Sequence, residues 1–210
     1  MRITIFGASG RTGRLIVRQA LDRGHDVTAV VRQPVRFDPA RANLRVEVGD
    51  LNDPTTLEPS ISGADAVVSA LGPTGRDRTA AICAPATRSI LRTMADTGVM
   101  RVVALSAQPV LRGASGEPWW FRASVLPLVR VVYRNVYADL GEMEQTLARS
   151  DRDWTVLRPP ALTDGPGLGS YRMREAANVR SMRMARGDLA RAALDVIDDV
   201  DTRRRAFGVG

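Results

Sequence analysis

The sequence predicts an α/β fold, a doubly wound parallel sheet with helices packed on it. Three observations predict it. Short apolar runs alternate with stretches of helical periodicity, joined by short links. A glycine-spaced turn stands between the first apolar run and the first helix. Residues able to hold a ligand recur just after the apolar runs, where open α/β sheets bind their ligands. The 210 residues suit a single domain over 1–210, with no repeat and no low-complexity linker.

The elements follow in order. Ile3 to Phe6 reads as a short buried strand. Leu15, Ile16, Gln19 and Ala20 share a helical face, predicting a helix over about 11–23 that Gly24 closes. Val27–Val31 and Leu44–Val48 are the next two strands, the latter closing at Gly49-Asp50. Pro54–Leu57 opens a short helix, and Ala66–Ala70 is a strand ending at Leu71-Gly72. A helix over about 79–97 leads to a strand at Arg101–Leu105, which ends at Ser106. Residues 108–117 read as loop, and a long helical region then runs to about Arg149. Trp154–Leu157 is a sixth strand, Pro159–Ser170 a loop, and Gly187-Asp188 caps a last helix to about Ile197.

The glycine turn reads Gly7-Ala8-Ser9-Gly10-Arg11-Thr12-Gly13. Gly7 permits a tight turn, Gly10 a close backbone approach, and Gly13 a helix seated near the strand. A helix start there offers free N–H groups and positive partial charge to a pyrophosphate. The G-x-x-G-x-x-G spacing differs by one residue from the standard dinucleotide fingerprint, so its weight comes from the strand–loop–helix setting. The reading is a Rossmann-like, NAD(P)-binding domain.

The end of the second strand decides which dinucleotide. An acid there grips a ribose 2′-hydroxyl, but this chain carries Arg32, with Arg36 beyond it. A carboxylate repels a 2′-phosphate, whereas a guanidinium forks onto it. With Arg11 in the loop, this favours NADP(H). The competing reading is that these arginines belong to an Arg-rich surface. Asp50-Leu51 fits an adenine edge, the carboxylate accepting from the exocyclic amine and Leu51 covering the ring; a turn acid is the alternative. Ala70, Leu71 and Gly72 let backbone pass beside the central ribose.

All 30 basic residues are arginine, and the formal net charge is +7. That balance attracts anions such as phosphorylated cofactors. The arginines are scattered, and Arg203-Arg204-Arg205 reads as a solvated edge, which argues against nucleic acid as partner. With one cysteine (Cys83) and one histidine (His25), no disulfide and no metal-ligand spacing exist. No apolar run spans a bilayer and no signal-peptide pattern opens the sequence, so a cytoplasmic protein is expected, monomeric or homodimeric.

Several segments together resemble the atypical short-chain dehydrogenase/reductase superfamily. More narrowly, they are similar to its NmrA-like and biliverdin-IXβ-reductase (flavin reductase) branch. They are residues 5–13, Val27–Arg32, Val48–Leu51, Asp65–Gly72 and Trp154-Thr155-Val156-Leu157-Arg158-Pro159-Pro160. The resemblance implies that Arg32 and Arg36 hold a 2′-phosphate, that Ser106 lies near the nicotinamide, and that Pro159-Pro160 passes beside it. The chain also departs from the superfamily. With no lysine, the Tyr-x-x-x-Lys dyad cannot exist, although Tyr133 and Tyr137 stand four apart on one helix. The branch can carry a histidine after the paired prolines, and this chain has Ala161.

Hydride transfer does not require a protein acid, since a flavin or quinone takes its proton from solvent. Ser106 then has two readings beyond a strand-end turn: a donor to a developing anion, or a holder of the nicotinamide amide. Trp119, Trp120, Phe121, Tyr133 and Tyr137, interleaved with Arg122, Arg130 and Arg134, form a candidate cover for a planar anionic substrate. A core or dimer-contact helix is the alternative, and Pro127 argues against a membrane-surface helix. Substrate-covering segments are expected near 108–137 and 159–180, the second glycine-rich and suited to closing. Two functions follow. One is an NADPH-dependent reductase of a flavin, quinone or tetrapyrrole-like acceptor. The other is a non-catalytic NADP(H) sensor acting through a protein partner. An epimerase or dehydratase on a nucleotide sugar is the weaker third.

Overall fold

The computed structural model describes residues 1–33, 42–72, 81–110, 132–165 and 167–210. Its main sheet holds eight strands in the order β3-β2-β1-β4-β5-β6-β10-β8. They are β1 (Arg2–Phe6), β2 (Asp26–Val31), β3 (Leu44–Val48), β4 (Ala66–Ser69), β5 (Arg101–Leu105), β6 (Asp153–Arg158), β8 (Met173–Glu175) and β10 (Arg205–Val209). Each pairing is parallel except β10 with β8. β7 (Ala161–Thr163) and β9 (Arg183–Ala185) form a separate parallel pair. The strand order reverses between β1 and β4, and the crevice above their carboxyl ends is where such sheets bind ligands.

The strands β1, β4 and β5 are buried along almost their whole length, as near-continuous apolar runs require when helices cover both faces. On one face α1 (Arg11–Asp22) and α5 (Arg186–Asp198) pack over Ile3, Ile5, Val68 and Val103. On the other, α3 (Cys83–Thr97) and α4 (Arg134–Arg149) pack over Phe6, Val67, Val102 and Val156, with the short α2 (Glu58–Ile61) beside them. No helix among the described residues is long and apolar enough to cross a membrane.

The six strands read from the sequence are all present, and Gly24 follows α1 with φ +79°, as its closing role requires. Most of the remaining differences lie after β6. The stretch 159–170 contains β7, too short to carry a periodic signal of its own. The basic run Arg203–Arg205 is exposed, as a solvated edge requires, and it leads into β10, whose Arg205 pairs in register with Thr155. Helix α3 starts at Cys83 with Ile82 as its N-cap, later than the periodicity suggests. Asp188 does not cap its own helix; its carboxylate accepts the N–H groups of Leu168 (2.8 Å) and Gly169 (3.0 Å), pinning the glycine-rich loop. Arg101 is a buried staple: its guanidinium donates to the carbonyls of Ile197 (2.8 Å) and Val196 at the end of α5. Burial pulls its pKa down to about 10.

Candidate functional site

A cavity of about 520 Å³ opens over the carboxyl ends of β1, β2 and β4. Gly7, Ser9, Gly10, Arg11 and Thr12 form its floor, Arg32 and Leu51 one side, and Ala70, Leu71 and Gly72 the other. Gly13 does not line it. It holds α1 against the loop instead, since a Cβ there would sit 2.1 Å from the Gly7 carbonyl oxygen. Gly7 has φ +73°, and a Cβ on it would lie 2.7 Å from the Ala70 oxygen. Only glycine fits either position, so loop and strand end approach each other as closely as backbone allows.

Helix α1 begins at this floor with no side chain bonded to its first N–H groups and no acid in its first turn. Uncapped amides and the helix dipole together make an anion site. Arg11 and Arg186 reach over it from either side of Asp164, at 2.7 and 2.6 Å. The uncapped helix start, the closely approaching glycine loop and the cationic rim fit a dinucleotide pyrophosphate.

The other positions read from the sequence fall around this cavity. Arg32 lines it at the end of β2, and Arg36 lies outside the described residues. Asp50 sits between the lining residues Gly49 and Leu51, but its carboxylate accepts from the Asn52 backbone N–H (2.9 Å) and side-chain amide (3.1 Å), the turn-acid geometry. Pro159 is buried, its carbonyl accepting the Gln108 N–H at 2.9 Å. Of the aromatic-basic cover, Trp119, Trp120, Phe121, Arg122, Pro127 and Arg130 lie outside the described residues. Tyr133 and Tyr137 stack with tilted rings 6.1 Å apart at the start of α4.

Ser106 follows β5, two residues past the Ser69–Ala104 register pair; it is buried and is not among the residues that line the cavity. Its Oγ donates to Glu144 Oε1 at 2.6 Å. Glu144 in turn takes both Nε (3.0 Å) and Nη2 (2.6 Å) of Arg158. The pair is largely buried, with side-chain exposures of 10% for Arg158 and 13% for Glu144. A larger cavity of about 590 Å³ runs from Arg158 and Glu144 along α4 past Tyr137 to Trp154. Among the described residues it has no glycine loop between a strand and a helix, unlike the cavity over β1.

Sequence reasoning did not single out Glu144, Arg158 or Arg186. A signal existed for the first two. Glu144 interrupts the apolar face made by Leu140, Met143 and Leu147, and Arg158 follows the buried apolar pair Val156-Leu157 at the end of its strand. An acid and an arginine each facing a core call for one another. A second buried acid, Asp139, accepts the N–H groups of Ile82, Cys83 and Ala84 at 2.8–2.9 Å. It caps α3 from a neighbouring helix and fixes Ile82, which lines the cofactor cavity. Burial and the Asp139 charge push the Cys83 thiol up to about 12, so it stays neutral. His25 lies at the amino end of β2, away from the cavity, and desolvation lowers its pKa.

A family model described as NAD(P)H-binding matches residues 7–200, nearly the whole chain and the entire cavity. The chain belongs to this NAD(P)H-binding family. It is 29% identical over 223 residues to YwnB of Bacillus subtilis, covering 100% of this chain and 98% of that one. It is 27% identical over 208 residues to Rv2047c of Mycobacterium tuberculosis. That match covers 87% of this chain, which spans only 24% of that longer relative. Among solved structures, a short-chain dehydrogenase/reductase from Veillonella parvula in complex with NADP superposes with TM-score 0.82 at 20% identity, covering 100% and 94% of the two chains. ChuY, an anaerobillin reductase from Escherichia coli O157:H7, gives 0.75 at 19%, covering 100% and 96%. These likenesses establish the fold. With the family match, they bear out the short-chain dehydrogenase/reductase resemblance read from the sequence.

Proposed function

We propose that this NAD(P)H-binding protein is an NADPH-dependent oxidoreductase that passes hydride to a planar acceptor of the flavin, quinone or tetrapyrrole type, without a Tyr-Lys dyad. The observation that carries it is Arg32 on the wall of the glycine-loop cavity, where an NAD site places an acid. Arg32 takes the 2′-phosphate, with Arg36 as its partner. The amides of residues 11–13 take the pyrophosphate, helped by Arg11 and Arg186, and Leu51 covers the adenine. When bound, the dinucleotide supplies the hydride. The chain's own residues bind and orient, and the proton comes from solvent, which suits a sequence with no lysine. The solved relatives include one in complex with NADP and one described as a reductase, and both support this reading.

A panel of FMN, FAD, biliverdin and quinones, with NADPH oxidation followed at 340 nm, tests it. Turnover with at least one acceptor is expected. Tight NADPH binding with no oxidation above background would instead favour the second reading, an NADP(H) sensor acting through a protein partner. The commitment of Ser106 to Glu144 and the absence of a lysine beside Tyr133 and Tyr137 favour that alternative. It requires unequal affinities for NADP and NADPH.

A further inference from the structure

Asp164 stands between two arginines that both line the glycine-loop cavity. The small sheet puts it there. β7 and β9 pair in parallel with Thr163 opposite Ala185, so the next residues along the two strands are Asp164 and Arg186. Arg11 reaches the same carboxylate from the first turn of α1. Each carboxylate oxygen takes one guanidinium: Oδ2 accepts from Nη1 of Arg11 at 2.7 Å, and Oδ1 from Nη1 of Arg186 at 2.6 Å. A guanidinium has five N–H donors, so one bond to Asp164 leaves it able to fork onto a phosphate with the bridge intact. Two cations aimed at one place also repel each other, and a carboxylate between them offsets that repulsion.

We infer that Asp164 is a positioning residue for the dinucleotide, holding Arg11 and Arg186 side by side so that both guanidiniums meet the pyrophosphate. This rests on the dinucleotide reading given above. Asp164 is not itself among the lining residues and acts through the two side chains that are. Two effects of its charge oppose each other. Its field repels the phosphates, but the side chain is 61% exposed, and water and salt screen it. Its contact with Arg11 acts at bonding distance. The Arg11 side chain is 73% exposed, and ordering it against a ligand costs conformational freedom that the bridge has already removed. Positioning therefore outweighs repulsion, and removing the charge weakens binding.

The test is calorimetric binding of NADP and of adenosine 2′-monophosphate, which keeps the adenine and the 2′-phosphate but has no pyrophosphate. Asp164→Asn should weaken NADP by about 2- to 10-fold, the range of one net hydrogen bond, and leave adenosine 2′-monophosphate unchanged. In an Arg11→Gln background the same substitution should cost less, because one of the two side chains it positions is gone. Unchanged or tighter NADP binding in Asp164→Asn overturns the inference. So does an equal loss for both ligands, which a purely structural role would produce, or a loss undiminished by Arg11→Gln. Each of these leaves the cofactor assignment standing. Failure of the wild-type chain to bind NADP overturns both.

Discussion

Around the glycine loop the chain leaves polar groups facing the cavity. One strand beyond β4, at the end of β5, it closes them on one another. Helix α1 starts without a side-chain cap, and Arg11 and Arg186 pair with the exposed Asp164. Ser106, Glu144 and Arg158 form a shielded chain of bonds instead. The difference teaches what each region is for. A site for a large anion keeps donors available. A buried cluster must satisfy its charges internally, so the polarity of each of its side chains is fixed by the fold.

Each half of this contrast can be broken separately. The largest effect is expected from Glu144→Ala, which leaves Arg158 buried without its partner. Removing one member of a buried pair costs about 3–5 kcal/mol, to be read as a lowered midpoint in chemical denaturation. Arg32→Glu comes next and acts on binding. Loss of a charge-assisted bond worth about 1.5–3 kcal/mol should weaken NADP by about 10- to 150-fold. Calorimetry should find the fold intact and the NADP preference lost or reversed. Unchanged NADP affinity would remove Arg32 from the site. Asp139→Ala uncaps α3 and frees three N–H groups beside the cavity, at a cost of about 1–2 kcal/mol. Hydrogen exchange at Ile82, Cys83 and Ala84 should rise with it. The smallest effect is expected from Asp164→Asn. Asp164 is 61% exposed and pairs with Arg11, 73% exposed, as well as with the largely buried Arg186, so stability should shift by about 1 kcal/mol in a thermal melt. A large destabilisation there would mean that the rim is as rigidly built as the Ser106 cluster.

How far each region was legible in the sequence follows the same contrast. The glycine loop, Arg32 and the walls at Leu51 and Ala70–Gly72 are written locally: each needs only a strand, a turn and the next residue. The Ser106 cluster joins residues 38 and 14 positions apart through three different elements. Asp139 caps a helix whose first amide is 57 positions away. Periodicity assigns such residues to a helix face but not to a partner.

Taken alone, the amino-acid sequence determined the alternation of strands and helices, the glycine cradle, the positive charge at its rim and the absence of a Tyr-Lys dyad. These depend on residue type and near-neighbour spacing, which folding does not alter. Only the tertiary structure decided that β10 completes the sheet beside β6, that Asp188 pins the loop after β7, and that the Ser106 proton is already spoken for. Those outcomes depend on which distant groups meet where water is excluded. There an unpaired donor or charge is costly enough to fix both the partner and the direction of the bond.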